Sequence, residues 1–511
     1  MSEPRMKVLE MLGAGKISAE EAYTLLDALQ GRRAAAGEEA AATVAEEKGG
    51  VEIEIDGESA AEGVSIPKMP KMPKMPKMPK MPKIPRMPKM AKPPKPPKPP
   101  KAPKAPKAPN SGGDELVGAD MRGQDLQGID WSGRHLQGVD LSGADLRRAH
   151  LENTHFEEVN LSGAQLEGAN LQGARFEEVK AKGIDLRGAN LEGAHWERGD
   201  FTDAVMHGAN LAGAHLEEAD LTGVELPEAN LEGAHLEGVK LSGANLEKAK
   251  LVGAHLEEGD LTEVNLSGAN LEGGHLEEAR FRGARLENCA MVGAHLENAD
   301  MSAADLRQVN LEGAHLEEVN LQNSQLEGAC LLGAHLEGGK LAGVDLRRVN
   351  LEGAHLEGAE LAQGQLQGAC LLGAHLEEAN ISAADLREVV LEGAHLEGVN
   401  MQGAQLEGAN LLEAHLEGAN AAGADLRGAN LEGAHLEEVN LTGAQLEGAN
   451  LAGAHLEGAD LQTADLRRAN FEGAHLEQAL LQGAQLDGVR LGGAHIEEID
   501  IDLSHLQGER A

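Results

Sequence analysis

Residues 431–450 read LEGAHLEEVNLTGAQLEGAN, and this stretch decides the fold. Leu431, Leu436, Leu441 and Leu446 fall every fifth residue, and two residues before each following leucine stands Ala434, Val439, Ala444 or Ala449. Residues two apart share a side of an extended segment, so the large residue (position i) and the small one (i−2) face the same way. Glycine is frequent at i+2, where a corner needs backbone freedom. Period five fits neither a helix nor a long strand. It implies a short strand, a turn, and repetition.

Working outward, the register holds from Leu116 to Leu506 without a slip. Leu fills 62 of the 79 slots, and the rest are Met, Ile, Phe, Trp and two Ala (Ala181, Ala421) that leave underfilled positions. Every Phe and Trp of the chain sits in this slot, which marks it as the interior. Histidine sets the coil. His135, His155 and then His195, His215 and so on to His495 recur every 20 residues, interrupted only by Arg175. Four pentapeptides per coil put one histidine on the same side of each coil, which predicts a four-sided all-β solenoid of about 20 coils. At a strand spacing of roughly 4.8 Å its length is on the order of 95 Å.

Segments such as Ala209-Asn210-Leu211 and Ala144-Asp145-Leu146 resemble the pentapeptide-repeat family, whose consensus runs A-(D/N)-L-x-x. The resemblance covers residues 110–511. It implies a right-handed quadrilateral β-helix with i and i−2 inward and i−1, i+1 and i+2 outward. This chain departs from the pattern at i−1 on one whole face, where histidine stands. Each coil covers its neighbour's leucine and alanine, so stability is close to a nearest-neighbour sum. Pro227, the one proline after residue 109, falls at a corner. The last residues, DLSHLQGERA, offer no capping helix, so end coils are expected to stack into dimers or short filaments.

The front of the chain is a different object. Residues 1–109 carry 20 Lys+Arg against 14 Asp+Glu, and residues 110–511 carry 25 against 71, within a total of −40. Residues 1–33 read as a helical hairpin. Met6, Leu9 and Leu12 form one stripe, Gly13 and Gly15 break it, and Ser18 with Glu21 is a capping box before Ala22, Leu25, Leu26 and Leu29. LEMLGAGKISAEEAYTLLDAL resembles the SHOCT-like modules that open some bacterial envelope-stress proteins. Two such short helices bury little surface alone, so self-association or docking is expected. Residues 34–65 are Ala/Glu-rich and expected to be mostly disordered.

Residues 66–109 repeat Pro-Lys-Met, then Pro-Lys-Pro, then Ala-Pro-Lys, with 13 Lys, Arg86 and no acid. A proline at least every third residue predicts polyproline II, with a lysine edge (Lys68, Lys71, Lys74, Lys77, Lys80) recurring about every 9.3 Å beside a methionine edge begun by Met69 and Met72. The tract reads as a stiff spacer, as a site for an anionic polymer or lipid, or as a ligand for this chain's own acidic solenoid.

The solenoid's faces carry the candidate sites. His235, His255 and His275 each stand two residues before Glu237, Glu257 and Glu277, and the same pairing runs to His495 and Glu497. Three readings stay open: a hydrogen-bonded polar ladder, a pH-responsive strip in which the Glu row favours protonated imidazoles, or a row of Zn²⁺ or Ni²⁺ sites. A second face alternates Asp-Leu-Arg with Gln-Leu-Glu, as at Asp345, Arg347 and Gln325, Glu327, which places Arg of one coil over Glu of the next. A third alternates Glu312, Leu332, Glu352, Leu372, Glu392 and Leu412, so like rungs recur every two coils, about 9.6 Å. That spacing matches the Lys and Met edges of the basic tract, which is expected to lie along it in cis or in trans. A fourth face is mostly Ser, Thr, Gln and Ala at i+1. Cys330 and Cys370, two coils apart, are too distant for a disulfide, and Cys289 at i−2 should be buried.

No nucleophile–base–orienter set, phosphate loop or cofactor motif is spelled, and copies of one histidine do not single out a catalytic one. The expected function is a non-enzymatic interaction rod gathered by the hairpin and basic linker, with unidentified protein partners, no small-molecule substrate and no cofactor. Two alternatives stand beside it. One is DNA mimicry, since some members of the family resembled bind DNA gyrase and −46 over about 95 Å approaches the charge spacing of duplex DNA. The other is a membrane-surface or envelope-stress role. An N-terminus without an apolar signal stretch gives the cytoplasm as the expected compartment, with the inner membrane face as the variant.

Overall fold

The computed structural model describes residues 115–499, and the hairpin, the acidic linker and the basic tract expected before residue 110 lie outside them. The described residues form a four-sided β-helix. Three-residue strands β1 (Glu115–Val117), β2 (His135–Gln137), β3 (His155–Glu157) and β4 (Arg175–Glu177) pair in parallel in the order β1-β2-β3-β4. Each residue of one strand faces the residue 20 later. The same offset joins every side of every coil, from Asp120 with Asp140 to His475 with His495. The 20-residue coil predicted from the histidine spacing is the coil observed.

Backbone hydrogen bonds explain the five-residue step. The amide of Leu141 donates to Asn160 O in the next coil (2.8 Å), and that of Gly143 donates to Ser162 O (2.9 Å). The amide of Ala144 closes the turn on Leu141 O (2.9 Å), and that of Asp145 reaches back to Gln124 O (2.8 Å). Only the i+1 amide lacks a backbone partner, and the side chain at i−1 supplies one: Ser142 N donates to Asp140 Oδ1 (3.0 Å), as Thr262 N does to Asp260 (3.2 Å) and Thr442 N to Asn440 (3.0 Å). The Asp/Asn preference at i−1 is therefore a corner cap, the short side chain bonding its own backbone two residues on.

Position i+2 takes the left-handed conformation, as at Gly143 (φ 64°). Glutamates such as Glu258 (φ 58°) and Glu378 (φ 59°) adopt it as well, at a cost of roughly 1–2 kcal/mol each that the ladder on both sides sustains.

Inside, the i and i−2 side chains fill the tube; Leu136, Ala144 and Leu366 have no exposure at all, and the two alanine slots, Ala181 and Ala421, are equally enclosed. Phe156, Phe176 and Trp196 occupy the same slot in successive coils and stack, with ring centroids 4.8 and 3.6 Å apart. Where a hydroxyl replaces alanine it is satisfied locally: Thr154 Oγ1 donates to Trp131 O (2.9 Å) and Ser324 Oγ to Leu321 O (2.6 Å). Cys289 is buried as predicted, and Cys330 and Cys370 are free thiols in the half-buried class. Among the described residues, no helix is long and apolar enough to cross a membrane.

Candidate interaction faces

Positions i−1 and i+1 flank an inward leucine and both point outward, so every face carries two parallel columns of side chains. On the histidine face the imidazoles from His195 to His495 stack with centroids 4.3 to 5.1 Å apart and planes within 8° of parallel. From His215 to His475 each Nδ1 faces the Oε1 of its own rung's glutamate, at 3.4 Å for His235–Glu237, 3.2 Å for His255–Glu257 and 3.7 Å for His275–Glu277. The second oxygen, Oε2, is buried without a hydrogen-bond partner on every glutamate of the column from Glu217 to Glu477. The first coils differ. His135 and His155 reach with Nε2 to the next coil's glutamates, Glu157 (2.8 Å) and Glu177 (3.1 Å), and Arg175 then breaks the column. Next to that arginine burial, with help from the charges of His215 and Arg175, holds His195 below the usual imidazole value, outweighing Glu217 and Glu197, which favour the protonated ring as expected.

On the second face the chemistry is arranged the other way round. Arg347 Nε and Nη2 donate to both oxygens of Asp345, two residues earlier in the same coil (2.8 and 2.6 Å), and its own amide donates to Oδ1 (3.2 Å). Asp305, Asp385, Asp425 and Asp465 bind Arg307, Arg387, Arg427 and Arg467 alike. The guanidinium and the capped amide hold these aspartates below the usual carboxylate range. The coil-to-coil Arg–Glu pairs expected from the sequence exist, at 3.8 Å for Arg347–Glu327 and 3.2 Å for Arg467–Glu447, but they are secondary to these in-coil forks.

The third face has an asparagine column at i−1. Asn190 Nδ2 donates to Asn170 Oδ1 (3.0 Å), Asn210 to Asn190 (2.9 Å) and Asn230 to Asn210 (2.9 Å), and a second run links Asn410 to Asn470. Between those runs the column holds Ala290, Cys330, Cys370 and Val390. Apolar pairs Ala290/Val292, Cys330/Leu332 and Cys370/Leu372 thus alternate with polar pairs Asn310/Glu312 and Asn350/Glu352, and Glu392 and Leu412 continue the i+1 column. Glu352 lies between Leu332 and Leu372, and burial raises its carboxyl above the ordinary value. Burial raises the Cys330 and Cys370 thiols too, with the Glu352 charge adding to both.

The tandem five-residue register, the inward leucine–alanine pair and the capped corner are the pentapeptide-repeat architecture. The family model described as pentapeptide repeats (8 copies) matches this chain in twelve segments running from 115–153 to 464–501. The chain belongs to the pentapeptide-repeat family. Among solved structures it is similar to HetL, a pentapeptide repeat protein involved in heterocyst differentiation regulation from the cyanobacterium Nostoc sp. strain PCC 7120, at 32% identity over 44% of this chain and 88% of that one, with a TM-score of 0.19. It is similar to Rfr23 from the cyanobacterium Cyanothece 51142 at 38% identity over 19% of this chain and 64% of that one (TM-score 0.18). A likeness to QnrB1, a plasmid-mediated fluoroquinolone resistance protein, is 22% identical over 37% and 87% (TM-score 0.25). No curated protein matches the sequence.

Sequence reasoning missed two features of these faces. The in-coil fork was spelled by Asp-Leu-Arg, since residues on either side of an inward leucine are outward neighbours. The asparagine ladder was spelled by Asn at 170, 190, 210 and 230, whose amides can each donate to the one a coil before.

Proposed function

We propose that the solenoid is a non-enzymatic interaction rod that binds proteins along its length through the banded third face. The observation that carries this reading is the joint alternation of both outward columns from Ala290/Val292 to Cys370/Leu372, continued at i+1 alone by Glu392 and Leu412, which repeats like bands about 9.6 Å apart. A partner matched to it presents cations and apolar side chains at that spacing. A peptide with the sequence of residues 66–91 has that chemistry, with Lys and Met each recurring every third residue except where Arg86 and Ile84 stand in their places. Exposed Glu312 and half-buried Glu352 and Glu392 would meet lysines, and Leu332, Leu372 and Leu412 would meet methionines. Such an interface stays weak in salt and gains specificity from register.

The test is fluorescence anisotropy with that peptide and the solenoid in moderate salt. Binding is expected for the native face and a loss of at least tenfold in the combined Leu332→Ala, Leu372→Ala, Leu412→Ala variant, which should fold because Ala212 and Ala452 hold the same column. No measurable binding to the native solenoid overturns the reading. DNA mimicry draws less support, since Arg307, Arg347, Arg387, Arg427 and Arg467 neutralise Asp305, Asp345, Asp385, Asp425 and Asp465 in every second coil and interrupt the anionic field.

A further inference from the structure

We propose that the histidine face is a linear array of divalent transition-metal sites, each built from two successive imidazoles and the carboxylate between them. Groups such as His215, Glu217, His235 and His255, Glu257, His275 bring one ligand atom from each residue to within 4.8 Å of the others. His355, Glu357, His375 and then His375, Glu377, His395 repeat the arrangement and share a ring.

Three observations go beyond mere proximity. The first is the His–Glu gap. A charge-assisted hydrogen bond between these groups would close to about 2.7–2.9 Å. Most rungs hold 3.2 to 3.5 Å instead, as at His295–Glu297 (3.5 Å), His335–Glu337 (3.4 Å) and His395–Glu397 (3.4 Å). Donors each about 2.1 Å from a tetrahedral ion stand about 3.4 Å from each other, so the rung is already spaced as the edge of a metal site. The second is the buried, unpartnered Oε2, a carboxylate oxygen that receives no proton donor from the protein and that a bound cation would compensate. The third is charge. Glutamates stacked along the column repel one another, and an ion in every second step relieves two neighbours at once.

The donor set, imidazole nitrogen with carboxylate oxygen, selects Zn²⁺, Ni²⁺ or Cu²⁺ over Mg²⁺ or Ca²⁺. Binding through Nδ1 leaves Nε2–H directed outward. Stacked rings 4.4 to 5.1 Å apart exceed the roughly 4.2 Å that two nitrogens can span across one ion, so the two rings of a site tilt toward each other on binding. Because each ring serves one ion, occupancy alternates, with one ion per two coils. The rungs are about one-third exposed, which leaves coordination positions for water or a partner's side chain. Arg175 interrupts the column, so the continuous array starts at His215, and His135, His155 and Glu157 form a separate group ahead of it.

The test is equilibrium dialysis of the untagged full-length protein, stripped with chelator, against Zn²⁺, with the bound metal measured by elemental analysis. The geometry predicts about seven ions along the array and about one more at His135, His155 and Glu157. A combined Glu297→Gln, Glu317→Gln, Glu337→Gln variant keeps every imidazole and should lose about two ions, while a single His315→Gln should lose about one. Circular dichroism and melting temperature in the absence of metal check that both variants fold, and Co²⁺ absorption reports tetrahedral nitrogen–oxygen ligation. Fewer than one ion per chain, or stoichiometry unchanged in the folded Glu→Gln variant, overturns the proposal.

Discussion

The histidine face and the Asp–Arg face carry the same two kinds of group, a base and an acid, at the same two positions around an inward leucine. They behave oppositely because the order is reversed. With the acid first, Asp345 caps the corner amide and Arg347 is long enough to fold back and fork both oxygens. With the base first, His335 has no oxygen for the corner amide, and Glu337 cannot turn both oxygens toward one ring nitrogen; Oε1 stands 3.4 Å away and Oε2 is unpartnered. One face is electrostatically closed and the other is open. The closed face satisfies its charges within each coil, and the open face is left with ligand capacity.

Five experiments break or sharpen that contrast. The largest effect is expected from Asp345→Ala, which removes the corner cap and the fork together and should cost about 2 kcal/mol, a figure already reduced for the aspartate's partial exposure. Denaturant unfolding of a segment spanning that coil reads it. The pH dependence of the closed face comes next. Folded Asp305, Asp345, Asp385, Asp425 and Asp465 hold their protons less tightly than in the unfolded chain. Their contribution is therefore complete above about pH 4 and declines as the pH falls further, so melting temperature should drop between pH 4 and pH 2. Glu352 has the opposite sign: its raised carboxyl favours the protonated folded form, so Glu352→Gln should stabilise slightly at pH 7 and leave acid stability unchanged.

A smaller gain, about 0.5–1 kcal/mol, is expected from His335→Asp, which supplies the missing cap on the open face. No gain would mean the corner amide is already satisfied by other means. The smallest and most local readout is thiol chemistry. Burial pushes Cys289 up to about 12, so it should resist alkylation in the native state, while Cys330 and Cys370 react slowly. Rapid labelling of all three would place the inward slot in solvent.

Most of the fold was legible because the repeat is redundant. One misplaced leucine says little, but an unbroken register and a 20-residue histidine period leave one way to stack the chain. The in-coil partners of Arg307 and Arg347 were hidden by reading down the columns rather than across the leucine. The left-handed Glu258 and Glu378 were hidden too, because nothing in a glutamate signals positive φ; the neighbouring turns impose it. The His–Glu pairing was readable as adjacency, whereas the 3.4 Å gap and the orphaned Oε2 follow from rotamers that only the packed column fixes.

The 20-residue coil is what aligns every column, and a pair of spin labels measures it. With Cys330→Asn and Cys370→Asn removing the half-buried thiols, labels at Gln322→Cys and Gln462→Cys lie seven coils apart on one face. Pulsed electron–electron resonance should return a narrow distance near 34 Å. A broad distribution, or a mean more than about 10 Å away, would mean the columns do not stack.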